Sequence, residues 1–239
     1  MPKLRALYDE ARADKWFRRF AVFCRVALAV SFLPTGIVKI LGQRFAEGLP
    51  HNNPLGHYFD ALLQTGYYYT FIGVTQLAIA ILLLIPRTTL LGAIAYFTLI
   101  VNITVLTYAT RFDGTRLVTF MLLACVFLLI WDYDRLKHLF IIKQPVTVSP
   151  VIIKPIGRRL RICFFCGCIA VITFIIAGTF YLYEITPGND EEECRNQCGS
   201  KDPKACQAFC DGIYIKGQPL DTALANFEKA KRADKRATK

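Results

Sequence analysis

Five apolar runs, at about residues 20–41, 67–85, 90–110, 117–131 and 160–183, constrain this chain more than any other feature. At 1.5 Å per residue a helix of about 20 apolar residues crosses the roughly 30 Å hydrocarbon core of a bilayer, and a water-soluble domain seldom carries several of them. Hydrophobic residues make up 54% of the 239-residue chain and are concentrated in these blocks. The pattern implies an all-α polytopic membrane bundle, because lipid offers backbone N–H and C=O groups no partner outside their own helix. The fourth run is short for a span and needs its flanking polar turns, with Arg116 snorkelling at one end and Trp131 and Tyr133 anchoring the other.

The first run is unusual because Arg25 and Lys39 lie inside it. At 100° per residue Arg25, Phe32, Gly36 and Lys39 fall within roughly 60° of one another, so one face of this helix is polar or small. Pro34 removes a backbone donor within the same run, which predicts a kink near Val30.

Around the runs the chain divides into a basic amphipathic segment at 1–19, a four-span bundle at 20–136, a basic linker at 137–159, a fifth span at 160–183 and a Cys-rich helical tail at 184–239. The connection at 43–66 contains a short amphipathic piece, 57–64, expected to fold back on the membrane surface. Lysine and arginine crowd the N-terminal segment (Lys3, Arg5, Arg12, Lys15, Arg18, Arg19) and the polar stretch 132–159 before the fifth span (Arg135, Lys137, Lys143, Lys154, Arg158, Arg159), whereas 43–66 holds only Arg44. The positive-inside rule therefore predicts a cytoplasmic N-terminus and, after five spans, an exported tail. The formal net charge of +11 needs no nucleic acid to explain it: membrane topology and anionic headgroups account for the clusters beside the spans, and no recognition motif accompanies them.

A first helix opening with Arg25 and closing with Gly36-Ile37-Val38-Lys39, followed by Gly73-Val74-Thr75-Gln76-Leu77 and Leu82-Leu83-Leu84-Ile85-Pro86-Arg87, resembles the DoxX-like family of four-helix membrane proteins over about residues 20–136. The resemblance implies a bacterial cytoplasmic-membrane subunit associated with redox chemistry, with quinone as its possible cofactor. Gln76 stands where members of that family often carry Glu. The fifth span and the tail lie outside the resemblance.

Charged and amide side chains inside spans are functional candidates by default. Lys39, Gln76, Asn102 and Arg116 are accordingly the candidate ligand-binding residues, expected to line a cavity that opens outward onto a quinone headgroup or another small polar ligand. Snorkelling and interhelical hydrogen bonds are the alternative for the same groups. His57 and Asp60, at i,i+3, are expected to share a helix face. No nucleophile with its base, phosphate loop, haem ligand pair or Rossmann fingerprint is legible, so catalytic residues are not assigned; no metal is expected, a zinc site on the four tail thiolates being the lesser alternative to disulfides.

Cysteines divide into two groups. Cys163-x-x-Cys166 sits in an apolar helix without the context of a redox dithiol and reads as small apolar packing. In the tail, Cys194-x3-Cys198 and Cys206-x3-Cys210 each put two thiols on one helix face, and the intervening Gly199-to-Pro203 turn makes a helical hairpin. Four cysteines allow three connectivities, of which antiparallel packing favours Cys194–Cys210 with Cys198–Cys206. Two functional classes follow: a redox-associated, quinone-engaging membrane subunit, or a non-catalytic assembly protein whose exported tail docks a protein partner.

Overall fold

A computed structural model describes residues 2–140, 158–200 and 203–237. Among them the regular structure is entirely helical, and the basic linker expected at 137–159 lies largely outside the described residues. Helix α1 (Pro2–Ala13) leads into α2 (Lys15–Ile40), the break falling at Asp14, whose side chain accepts from Trp16 N at 2.8 Å and so caps α2. Residues 15–19 are thus the first turns of the membrane-length helix. Helix α3 (Pro54–Leu63) follows the long connection, begun by Pro54 at its first position and by the Asn53 cap.

Helices α4 (Tyr67–Leu84), α5 (Thr89–Ala109) and α6 (Thr115–Trp131) complete a four-helix bundle with α2, and α7 (Tyr133–Phe140) leaves it. Helix α8 (Arg158–Leu182) lies against one side of the bundle. Four helices, α2, α4, α5 and α8, are long and apolar enough to cross a membrane. Helix α6, at 17 residues, extends about 25 Å. It includes Thr115 and Arg116 from the preceding turn and is pinned at both ends, by Tyr8 Oη donating to Trp131 O at 2.9 Å and by the Tyr108–Thr119 hydroxyl pair at 3.2 Å.

The bundle core is built from small and aromatic groups: Ala29 and Ala80 admit close helix approach, and Phe32 stacks on Tyr96 with ring centroids 4.0 Å apart. Large apolar side chains such as Phe23, Phe71, Val105, Leu117 and Phe174 are exposed on the outer surface, the reverse of a water-soluble protein and the surface a bilayer requires. The chain is a multi-pass membrane protein.

Beyond α8 the tail forms α9 (Glu191–Asn196), a 3-10 turn (Gln197–Ser200), α10 (Pro203–Tyr214) and α11 (Leu220–Ala237). Disulfides join Cys194 to Cys210 and Cys198 to Cys206, the antiparallel connectivity. They enclose a second core with Phe209, Ile213, Ala223 and Phe227. Cys163 and Cys166 are free thiols on the exposed surface of α8.

Candidate functional site

Helices α2 and α4 run antiparallel and touch at two glycines. A Cβ added to Gly73 would lie 2.7 Å from Gly36 O and 2.8 Å from Lys39 Cβ, and one added to Gly36 would lie 2.9 Å from Gly73 O. Only backbone-to-backbone approach fits here, and it presses Lys39 against α4 instead of leaving it to lipid. Lys39 is 5% exposed.

Its ammonium donates to Thr35 O at 3.2 Å and lies 4.2 Å from the Phe45 ring centroid and 5.9 Å from that of Tyr69. No carboxylate among the described residues forms an ion pair with it. Tyr69 Oη donates to Gln43 O at 2.8 Å and accepts from Phe45 N at 2.9 Å, so the loop after α2 is held with Phe45 closed over the cation. Two aromatic faces and one carbonyl thus replace the solvation that a buried ammonium loses. Gln76 is 4% exposed, and its Oε1 lies 3.5 Å from Thr35 Oγ1, whose one proton has its shortest acceptor in Phe32 O at 3.1 Å. Thr35 therefore lies between the two, its carbonyl bonded to Lys39 and its hydroxyl beside Gln76.

Asn102 is not part of this cluster. The inward stripe of α5 is Tyr96, Ile100, Thr104 and Thr107, and Asn102, roughly 200° around the helix from Ile100, is exposed on the outer face. Arg116 lies elsewhere again, half-buried in the second position of α6, and lines a small cleft with Tyr108, Arg111, Asp113 and Tyr183. Burial and the Glu193 carboxylate push the Asp113 carboxyl up from its ordinary value, with Arg116 opposing them. The expected outward cavity joining Lys39, Gln76, Asn102 and Arg116 is therefore replaced by a compact Lys39–Gln76 pair and a separate cleft at the hairpin end.

Arg25, at the other end of α2, donates from Nε to Leu83 O at 3.0 Å and from Nη2 to Leu84 O at 2.9 Å. These are end carbonyls of α4, just before Pro86, and the guanidinium acts as their cap. The imidazole that meets Asp60 belongs to His51, not His57: His51 Nδ1 lies 2.7 Å from Asp60 Oδ2, while Arg44 Nε donates to Oδ1 at 2.5 Å. His57, on the exposed face of α3, does not make the expected pair. Desolvation is the largest single influence on the Asp60 carboxyl and raises it, but the hydrogen bonds and charges of Arg44 and His51 together outweigh it and hold the group below the usual carboxylate range.

One functional contact set had no sequence signal. Asn53, 2% exposed, caps α3 with Oδ1 and donates from Nδ2 to Gly188 O at 3.0 Å and Tyr214 Oη at 3.1 Å. Asn52 donates to Tyr214 O at 2.7 Å, and Arg111 to Ile185 O at 2.9 Å. The disulfide hairpin is thereby seated on the loop between α2 and α4. Burial of Tyr214 pushes its phenol up to about 12, the hydrogen bond from Asn53 notwithstanding.

With this geometry in hand, comparison with known proteins gives one informative result. Over 135 residues, covering 54% of this chain and 86% of the relative, the sequence is 33% identical to a Bacillus subtilis (strain 168) protein described as uncharacterized protein YwoB. The chain belongs to the YwoB family. No family profile matches the chain, and no solved structure matches it. Close to half of this chain lies outside the matched stretch, so whatever the shared region does is carried here with additional sequence.

Proposed function

We propose that this YwoB relative is a redox-associated membrane subunit, DoxX-like in its first four spans, that engages the carbonyl headgroup of a quinone at Lys39 and Gln76. One observation carries the reading: an ammonium sealed between helices at the Gly36–Gly73 crossing, with the Gln76 amide beside the shared Thr35 and an aromatic loop closed over it. A lysine has three N–H donors, and Thr35 O takes one. A quinone oxygen is an acceptor of the kind the other two require, and its ring is suited to the Phe45 and Tyr69 faces. The bacterial relative supports a bacterial membrane, and the basic N-terminal segment supports a cytoplasmic N-terminus. The two disulfides support placing the hairpin on the opposite, oxidising side.

The test is to purify the full chain in lipid nanodiscs and quantify extracted quinone by mass spectrometry, alongside Lys39→Ala and Gln76→Ala. Retained quinone in the parent, reduced about tenfold by loss of one charge-assisted hydrogen bond, is the expected result. Equal quinone in parent and Lys39→Ala preparations of equal fold would overturn it.

A second reading, an assembly protein acting through its tail, is favoured by the tail having its own disulfide-closed core and a basic outer face on α11 that includes Lys229 and Arg232. A stable protein complex lost on deleting 190–239, with no quinone in the parent, selects it over the first.

A further inference from the structure

At the end of the bundle opposite the hairpin, a cavity of about 330 Å³ is lined by Arg12, Arg18, Arg25 and Arg135, with Trp131 and Asp132. Arginine is the residue suited to planar, bidentate recognition of phosphate, and here four arginines from α1, α2 and α7 line one space. Asp132 lies 3.7 Å from Arg12 and 3.9 Å from Arg135, and Asp134 lies 3.5 Å from Arg12. Even if each aspartate neutralises one arginine, the charges of two guanidiniums, such as Arg18 and Arg25, remain.

The cavity is built, not incidental. Arg12 is held over the rings of Tyr8 and Trp131, each centroid 5.8 Å away, and Arg25 is fixed by its two bonds to α4 carbonyls. Arg25 has five N–H donors, so three remain after those two bonds. The remaining wall is mostly apolar, Thr89 being its one further polar residue: Ala21 and Leu128 are buried, Pro86 adds to them, and Val22 is continuous with the outer apolar surface of α2.

We infer that this cavity binds the phosphate monoester of an anionic ligand, with an amphiphile's headgroup as the form that uses both its cationic and its apolar wall. A monoester carries about −1.5 to −2 at neutral pH, which matches two uncompensated guanidiniums, whereas a diester carries one charge. The volume lies at the small end of ligand pockets, about 300–1,000 Å³, and accommodates a headgroup. The site is independent of the Lys39 cluster, which lies near the other end of α2.

The experiment uses the full chain in phosphatidylcholine nanodiscs doped with phosphatidic acid, a monoester, or phosphatidylglycerol, a diester, and measures retained lipid by native mass spectrometry. Arg18→Gln/Arg135→Gln, both exposed positions, is compared with Arg87→Gln, an exposed arginine by the α4–α5 turn and outside the cavity wall. Expected is preferential retention of phosphatidic acid, reduced about tenfold in the double variant and unchanged in Arg87→Gln. A parallel arm titrates inorganic phosphate into undoped nanodiscs: thermal stabilisation that the double variant loses supports the same chemistry from a soluble source. Absence of both responses, or equal losses in the double variant and Arg87→Gln, overturns the inference. Unchanged unfolding temperature of the double variant without ligand separates lost binding from lost fold.

Discussion

Asn53 offers the sharpest test of how the hairpin is attached, because its two side-chain atoms do separate jobs. Oδ1 accepts from Leu55 N at 3.0 Å and Gly56 N at 3.4 Å, and Nδ2 donates to Gly188 O and Tyr214 Oη. Replacing the cap by Ala costs α3 about 1 kcal/mol. The two lost donations cost docking about 2 kcal/mol more, since each net bond contributes about 1. Asn53→Asp separates the terms. Its carboxylate still caps α3, and favours the helix N-terminus, but it sets an acceptor against Gly188 O. In the Asp variant α3 should keep its protection while docking loses at least about 2 kcal/mol, a roughly thirtyfold rise in opening.

Hydrogen exchange on the full chain, followed separately for amides of 55–63 and of 185–190, reads the two. The expected pattern is faster exchange in both segments for Asn53→Ala and in 185–190 alone for Asn53→Asp. Asn52 and Arg111 still tether the hairpin, so its disulfide core should remain protected. Parent-like exchange of 185–190 in the Asp variant would refute the assignment of Nδ2 to docking.

Two further outcomes are expected. Gly73→Ala forces apart backbones that leave only 2.7 Å for a Cβ, and should lower stability in a detergent-unfolding titration by about 1–3 kcal/mol. Gly178→Ala, with open space at its Cβ, should not; equal effects would remove the crossing from the argument. Asp60 is held below its ordinary value, so the loop it braces with Arg44 and His51 should be fully supported above the unfolded value of about 3.9 and lose support as pH falls through the lower folded one. Pepsin cleavage within 43–66 should rise over that fall in the parent, and Asp60→Asn should already be sensitive at pH 4; a pH-independent parent would be the contrary result.

What was legible in the sequence depended on whether the signal was local. The membrane-length helices follow from the length of apolar runs, and the hairpin connectivity follows from i,i+4 cysteines on two helices joined by a short turn, with Pro203 starting the second as expected. The orientation of Asn102 was not legible. In lipid both the core face and the outer face of α5 are apolar, so the contrast that identifies the inward stripe of a soluble helix is missing, and a single amide does not restore it. Choosing His51 over His57 required the path of the 43–53 loop, and the second role of Asn53 required a partner 135 residues away. Both are tertiary facts with no local period.

The same reasoning separates the two cations that make α2 unusual. Arg25 and Lys39 share a face and both meet α4, but α4 runs antiparallel, so they meet opposite ends of it. Arg25 reaches the C-terminal end, where unpaired carbonyls and the negative end of the helix dipole favour a guanidinium. Those two bonds fix its position, and its remaining donors belong to the arginine-lined cavity at that end of the bundle. Lys39 sits in the N-terminal half of α4's length, where exposed N–H groups, not carbonyls, terminate the helix, and it takes its acceptor from its own preceding turn at Thr35. A folding role would be served as well by an apolar side chain of the same length, without desolvating a charge. That asymmetry is why the quinone reading is placed on Lys39 and not on Arg25, although sequence position alone makes them equivalent.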